Sequence, residues 1–322
     1  MSRTLIEVKD ISKSFGEKNK KVPVLRGLTF NIKADEILCV VGESGCGKTT
    51  LGKVLAGLEG YNGGSYLHEK KEVNKLSKKD FKLFRRRVQM IHQDPFASLN
   101  PTQNVFTILS APLYRHKIVK GYQQAVDKVN SLLDLVGLTP VQDFIDKFPH
   151  QLSGGQRQRI SIARSLTLEP AFLIVDEAVS MIDTSLRISI LNNLLEIQNK
   201  LKVAYFFITH DLAVANYFAQ KGRIAVMYLG KIVEIAPTEE IIGNPRHPYT
   251  RALIGAIPEA DPEVTRQKER FKLKDSEVPS LQNIPGGCAF HTRCPWAEKP
   301  ICYEKEVRLT GSGQHKTACH LV

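Results

Sequence analysis

The chain has 322 residues, 42% of them hydrophobic, and carries a formal charge of +12. That length supports one large core or two modest ones, and no run approaches the ~18 apolar residues that span a bilayer. The first residues, MSRTLIEVKD, lack the basic stretch and apolar segment of a signal peptide, so a cytosolic protein is expected.

Residues 4–11 (TLIEVKDI) and 24–32 (VLRGLTFNI) alternate as half-buried strands do. Residues 36–41 (EILCVV) read as a buried strand, followed by a Gly-rich loop and a helix over 48–58. Much of the positive charge lies in 70–87 (KKEVNKLSKKDFKLFRRR), read as a solvated face, with attraction to an anionic membrane surface as the sharper alternative. No aromatic-interleaved basic stripe or helix-turn-helix accompanies it, so no nucleic-acid partner is expected. A short strand follows at 88–92, and 122–136 and 155–168 have helical periodicity. Residues 171–175 and 203–208 have the length of buried strands, with a helix at 188–200 between them. This alternation predicts an α/β fold with a mostly parallel sheet covered on both faces. Residues 224–228 and 232–235, flanking Leu229-Gly230-Lys231, predict a hairpin. From Pro258 the chain is charged and Pro-rich and reads as a linker. Of six cysteines, Cys39 and Cys46 are isolated, whereas Cys288, Cys294, Cys302 and Cys319 cluster near the end. In a cytosolic chain such clustering favours a metal over disulfides.

Gly42-Glu43-Ser44-Gly45-Cys46-Gly47-Lys48-Thr49 fits the P-loop pattern G-x-x-x-x-G-K-[ST]. Its glycines let backbone N–H groups turn inward around phosphate oxygens, and the helix that follows, through Thr50, adds its positive dipole end. Lys48 would reach the β- and γ-phosphates and the Thr49 hydroxyl would ligate Mg²⁺. A match arises by chance in roughly one chain in a hundred of this length, so the preceding strand and following helix decide the reading. Phe172-Leu173-Ile174-Val175-Asp176-Glu177 is an apolar strand ending in two carboxylates. Asp176 would hold Mg²⁺, and Glu177, facing the other way, would polarise the attacking water. Leu152-Ser153-Gly154-Gly155-Gln156 precedes a helix and makes a second phosphate-binding N-terminus with Ser153 as its cap. Two such termini in one chain imply a head-to-tail dimer, each ATP lying between one subunit's P-loop and the other's Ser153 loop.

With LSGGQ in place, the chain resembles the ATP-binding cassette (ABC) ATPases along its whole length. The resemblance implies a P-loop NTPase with a RecA-like core, a β-subdomain and a helical subdomain at about 94–152. It further implies that Phe15 stacks on adenine and that Gln93 contacts Mg²⁺ or water and reports nucleotide state to membrane subunits. By the same likeness Asp183 crosses to the partner ATPase and His210 touches the γ-phosphate. Ala178 stands where many members have Pro, which removes no ligand.

The segments YLGKIVE (228–234) and PRHPYTRAL (245–253), with HQDP (92–95), SLNP (98–101) and CAFHTRCP (288–295), are similar to those of oligopeptide/dipeptide importer ATPases of the F type. That likeness implies an ATPase domain at 1–258, a Cys-rich extension at 259–322, a second non-identical ATPase subunit, two permease subunits and an extracytoplasmic binding protein. It places the chain peripherally on the cytoplasmic face of the membrane. The cysteines follow C-x5-C-x7-C-x16-C. A [4Fe–4S] cluster, tetrahedral zinc and free or oxidised thiols are the readings; the likeness favours the cluster. Oligosaccharides or metal chelates are alternative cargoes. A soluble ABC ATPase and a non-catalytic subunit are the competing classes.

Overall fold

Alternating strands and continuously apolar strands enter different sheets. The computed structural model describes residues 3–17, 21–180, 182–257 and 271–322. In chain order its principal elements are β1 (Thr4–Phe15), β2 (Val22–Lys33), β3 (Ile37–Val41), α1 (Lys48–Leu55), β4 (Gly63–His68), β5 (Lys71–Glu72), α2 (Lys78–Arg87), β6 (Val88–Ile91) and α3 (Pro95–Ser98). There follow α4 (Val105–Arg115), α5 (Tyr122–Leu135), α6 (Gly154–Leu166), β7 (Phe172–Asp176), α7 (Thr184–Leu201), β8 (Ala204–Thr209) and α8 (Leu212–Phe218). The last are β9 (Arg223–Tyr228), β10 (Lys231–Pro237), α9 (Thr238–Gly243), α10 (Pro248–Gly255) and β11 (Lys316–Thr317). The described residues of Met1–Thr4, Lys33–Glu36 and Val73–Phe206 form one compact unit, and those of Leu5–Ile32, Ile37–Glu72 and Phe207–Val322 a second. The linker expected from Pro258 lies, through residue 270, outside the described residues.

In the second unit the alternating strands make an antiparallel sheet of order β2-β1-β4-β5, with Ile6 opposite His68 and Val8 opposite Tyr66. β1 outlasts its apolar alternation because side chains hold its polar end. Lys13 pairs with Glu59 at 2.6 Å, and Asn62 Oδ1 accepts the Ser14 N–H at 2.7 Å. The same unit contains β3, β9, β10 and β11, with β3 and β9 parallel, Val41 opposite Val226. β9 and β10 form the expected hairpin. Its corner is Leu229 (φ 40°) and Gly230 (φ 80°), the two left-handed residues that a tight I′ turn requires. α1 stops three residues short of the predicted end. Gly57, at φ 63°, and the bond from Leu58 N–H to Lys53 O (2.9 Å) close it as a Schellman cap.

In the first unit β6 runs parallel to β7, Ile91 opposite Val175. The basic stretch becomes α2, capped by Ser77 and anchored by buried Phe84, with Leu83 exposed. Strand β8 begins in the first unit and ends in the second. Every residue of β3, β7 and β8 is buried, as expected of parallel strands covered on both faces.

The C-terminal extension joins the second unit through a buried carboxylate. Glu234 on β10 accepts the N–H groups of Arg246 (2.8 Å) and His247 (2.9 Å), and His315 Nε2 lies 2.7 Å from it. The other ring nitrogen of His315 is 2.8 Å from Glu240, and β11 pairs with β10 one residue further on. Glu234→Ala leaves two buried amide donors unpaired and is expected to destabilise the second unit by about 3 kcal/mol, read as an earlier transition in urea unfolding.

Candidate functional site

The P-loop follows the carboxyl end of β3, where ligands bind in parallel α/β sheets. A Cβ on Gly42 would stand 2.1 Å from the Met227 carbonyl oxygen, and one on Gly47 (φ 106°) 2.8 Å from Val24 O. The close approach of β9 and β2 therefore admits only glycine at both positions. Lys48 opens α1 and is buried, its ammonium donating to the carbonyls of Gly42 (2.7 Å) and Glu43 (3.0 Å). The loop's own carbonyls thus hold the Lys48 charge inside the loop. Ser44, Gly45 and Thr49 are exposed and Thr50 half-buried beside this charge. Cys46 is buried, and burial pushes its thiol pKa up against the opposing pull of Lys48.

Two other predicted residues belong to this unit. Phe15 ends β1 with its ring exposed and Lys13 Nζ 4.7 Å from the ring centroid. His210 is exposed immediately after β8.

The first unit brings together Gln93 and Glu177. The parallel register of β6 and β7 ends both strands level, so the residues just beyond meet: Gln93 Nε2 donates to Glu177 Oε2 at 3.3 Å. Asp176 is the buried last residue of β7. Glu177 is in the left-handed region at φ 46°, and its carbonyl accepts both the N–H (3.0 Å) and the hydroxyl (2.8 Å) of Ser180. A left-handed glutamate costs on the order of 1 kcal/mol and turns its carboxylate away from the line of the strand. Asp183 stands at the position before α7, makes no capping hydrogen bond with its side chain, and is exposed.

Ser153 caps α6 as expected, in a reciprocal box: its Oγ accepts the Gln156 N–H (3.3 Å), and Gln156 Oε1 accepts the Ser153 N–H (2.9 Å). Gly154 is exposed and Gly155 buried, 3.3 Å from Leu186 when a Cβ is added. That box occupies the Gln156 N–H, whereas the N–H groups of Gly154 and Gly155 have no acceptor one turn back in the helix and can meet an anion.

The family model for the ABC transporter ATPase matches residues 25–180, and that for the oligopeptide/dipeptide transporter C-terminal region matches 233–302. The oligopeptide transport ATP-binding protein AppF of Bacillus subtilis is 40% identical over 99% of this chain and 97% of its own length. The chain belongs to the ABC transporter ATP-binding proteins. Further relatives of this family are the Escherichia coli oligopeptide transport ATP-binding protein OppF, 39% identical over 97% of this chain and 92% of its own, and the Pseudomonas aeruginosa di/tripeptide transport ATP-binding protein DppF, 38% identical over 99% and 96%. The ABC fold is shared with CbiO1 of Clostridium perfringens, with a TM-score of 0.68 at 23% identity over 82% of this chain and 98% of that one. The cassette MJ0796, in a post-hydrolysis dimer bound to ADP and phosphate, superposes with a TM-score of 0.65 at 23% identity over 73% of this chain and 99% of that one. As an ABC ATPase of this family the chain uses ATP with Mg²⁺ and hydrolyses it in service of transport, and it is membrane-associated. Among the described residues no helix is long and apolar enough to cross a membrane.

The ABC ATPase's four clustered cysteines line one small cavity of about 10 Å³ with His247, Phe290, His291 and His320. None is in a disulfide. The Cys288 N–H donates to the Cys302 carbonyl (2.9 Å), holding two of these stretches together. Burial pushes the Cys288 thiol up to about 11 and raises those of Cys294 and Cys319. The cluster is not a ready single-ion site: among the described residues no three His, Cys, Asp or Glu side chains are grouped to hold a metal ion. That absence bears on the tetrahedral zinc and the [4Fe–4S] readings alike.

Sequence reasoning gave no individual role to two residues that touch the P-loop. The Tyr249 hydroxyl accepts the Glu43 N–H at 3.0 Å, and Arg293 forms a two-pronged pair with the Glu43 carboxylate at 2.9 and 3.0 Å. They stand 206 and 250 residues away in the chain, beyond any local pattern. For the loop itself, Gly42→Ala is expected to displace the backbone and weaken ATP binding on the order of a hundredfold, measured by calorimetric titration with circular dichroism as the control for folding.

Proposed function

We propose that this chain is the ATP-hydrolysing subunit of an importer for di- and oligopeptides, working as one half of a head-to-tail ATPase pair. The observation that carries it is the joint match of the cassette and of the oligopeptide/dipeptide transporter C-terminal region, with relatives named for peptide transport along nearly the full length. In this reading residues 42–50 and Lys48 bind the phosphates, Phe15 the base, and Ser153–Gln156 and Asp183 serve the site of the partner ATPase. Thr49, Asp176 and Gln93 would hold Mg²⁺, which neutralises phosphate charge. Glu177 accepts a proton from the attacking water, Gln93 keeps its carboxylate oriented, and His210 donates to the γ-phosphate.

The partner is a second, non-identical ATPase. Two permease subunits seat against the helices of residues 94–152, and a binding protein supplies cargo from outside, with this chain at the cytoplasmic face. The ATPase domain ends near 258, and the linker and Cys-rich extension run from 259. The four cysteines of the extension would hold a [4Fe–4S] cluster, a reading that rests on their spacing and on their lining one small cavity. When bound, such a cluster supplies cross-linking and folding energy to an extension poor in apolar residues.

Glu177→Gln is expected to bind ATP as the wild type does and to lose turnover by about a thousandfold, read by phosphate release beside nucleotide titration. Uptake by the assembled transporter in vesicles is expected with peptides, and uptake of sugars or metal chelates instead overturns the cargo. Anaerobically purified chain is expected to contain iron and acid-labile sulfide; a cysteine tail free of both overturns the cluster.

A further inference from the structure

Glu43, the second residue of the P-loop, is held at three points. Its carbonyl accepts from Lys48 Nζ (3.0 Å), its N–H donates to Tyr249 (3.0 Å), and its carboxylate takes both prongs of Arg293 (2.9 and 3.0 Å). The last two partners lie beyond the cassette match: Tyr249 is in the first turn of α10, and Arg293 belongs to the C-terminal extension. Arg293 is built in. Its side chain is 5% exposed, its guanidinium lies 5.8 Å from the rings of both Tyr228 and Phe290, and its carbonyl accepts the Lys274 N–H at 3.0 Å. Tyr228, Tyr249 and Phe290 pack with centroids 4.7 to 5.4 Å apart. Burial alone would lower the Arg293 pKa, but its paired bonds to the Glu43 carboxylate raise it. A second stretch of the extension, residues 278–281, lines a cleft with Glu43, Ser44, Gly45 and Cys46.

A fork of two parallel N–H···O bonds fixes a carboxylate in direction as well as distance, which a lysine cannot do. Glu43 also carries the carbonyl that Lys48 grips, so an error in its orientation passes directly to the lysine that meets phosphate. The geometry points to Arg293 as a positioning residue of the nucleotide site: the C-terminal extension, through this fork, sets how tightly the P-loop binds ATP. The inference rests on the ATP-binding reading of residues 42–50.

The test uses the full chain with Arg293→Lys, Arg293→Met, Glu43→Gln and the double variant Glu43→Gln/Arg293→Met, each followed by steady-state ATP hydrolysis, ADP titration and thermal melting. Arg293→Lys keeps charge and bulk. It is expected to raise KM for ATP and Kd for ADP about tenfold with kcat within about twofold, the mark of lost ground-state binding. The double variant removes both members of the buried pair, a change often neutral for stability. It is expected to recover the wild-type melting temperature while KM stays raised. Wild-type KM and Kd in Arg293→Lys, or in a double variant that melts as the wild type does, overturn the positioning role and leave only a structural pair. A wild-type chain that binds no ADP instead overturns the nucleotide reading itself.

Discussion

The closeness of β9 to β3 is the constraint on which the nucleotide loop depends. Their parallel register, Leu38 opposite Arg223 through Val41 opposite Val226, carries the chain out of β3 directly against the Met227 carbonyl. Only a residue without a Cβ fits there, and the next turn, at Gly47, meets Val24 with the same consequence. A loop pressed this way cannot choose its shape for itself. Its carbonyls face Lys48 because its outer side is occupied by other backbone.

A level ending of strands does comparable work in the first unit. β6 and β7 finish opposite one another, so Gln93 and Glu177 meet without a long side-chain reach. The left-handed turn at Glu177 is held by two bonds from Ser180, which offset the local cost of that conformation. Both units thus place polar residues at strand ends and let buried apolar strands set their positions.

The chemistry-bearing segments were legible because each is local: a Gly-rich loop after an apolar strand, a strand ending in two carboxylates, a Ser-Gly-Gly cap before a helix. The hairpin at Leu229-Gly230 was legible for the same reason. The antiparallel sheet was read only in part. β4 and β5 are short and polar, and β1 runs four residues beyond its apolar alternation on hydrogen bonds from distant side chains. The helix α2 was hidden because its charge dominates its single buried anchor, Phe84. The cysteine spacing exposed the clustering, but not that the thiols share a cavity without forming a single-ion ligand set. Least legible was the grip of Tyr249 and Arg293 on Glu43, since hydrogen bonds across more than two hundred residues leave no trace in periodicity or motif.

The turn between β9 and β10 ties more than its own strands. The Gly230 N–H donates to the Cys46 carbonyl at 3.0 Å, and its carbonyl accepts the Arg26 N–H at 2.9 Å, so one two-residue corner bridges β2 and the P-loop. Surface loops generally tolerate added length at small entropic cost. This corner has no such freedom, because one inserted residue would flip the faces of β10 and carry Glu234 out of the interior. Across relatives of varying length, insertions and deletions should therefore gather elsewhere, and the distance in sequence from Tyr228 to Lys231 should act as a fixed ruler for the whole second unit.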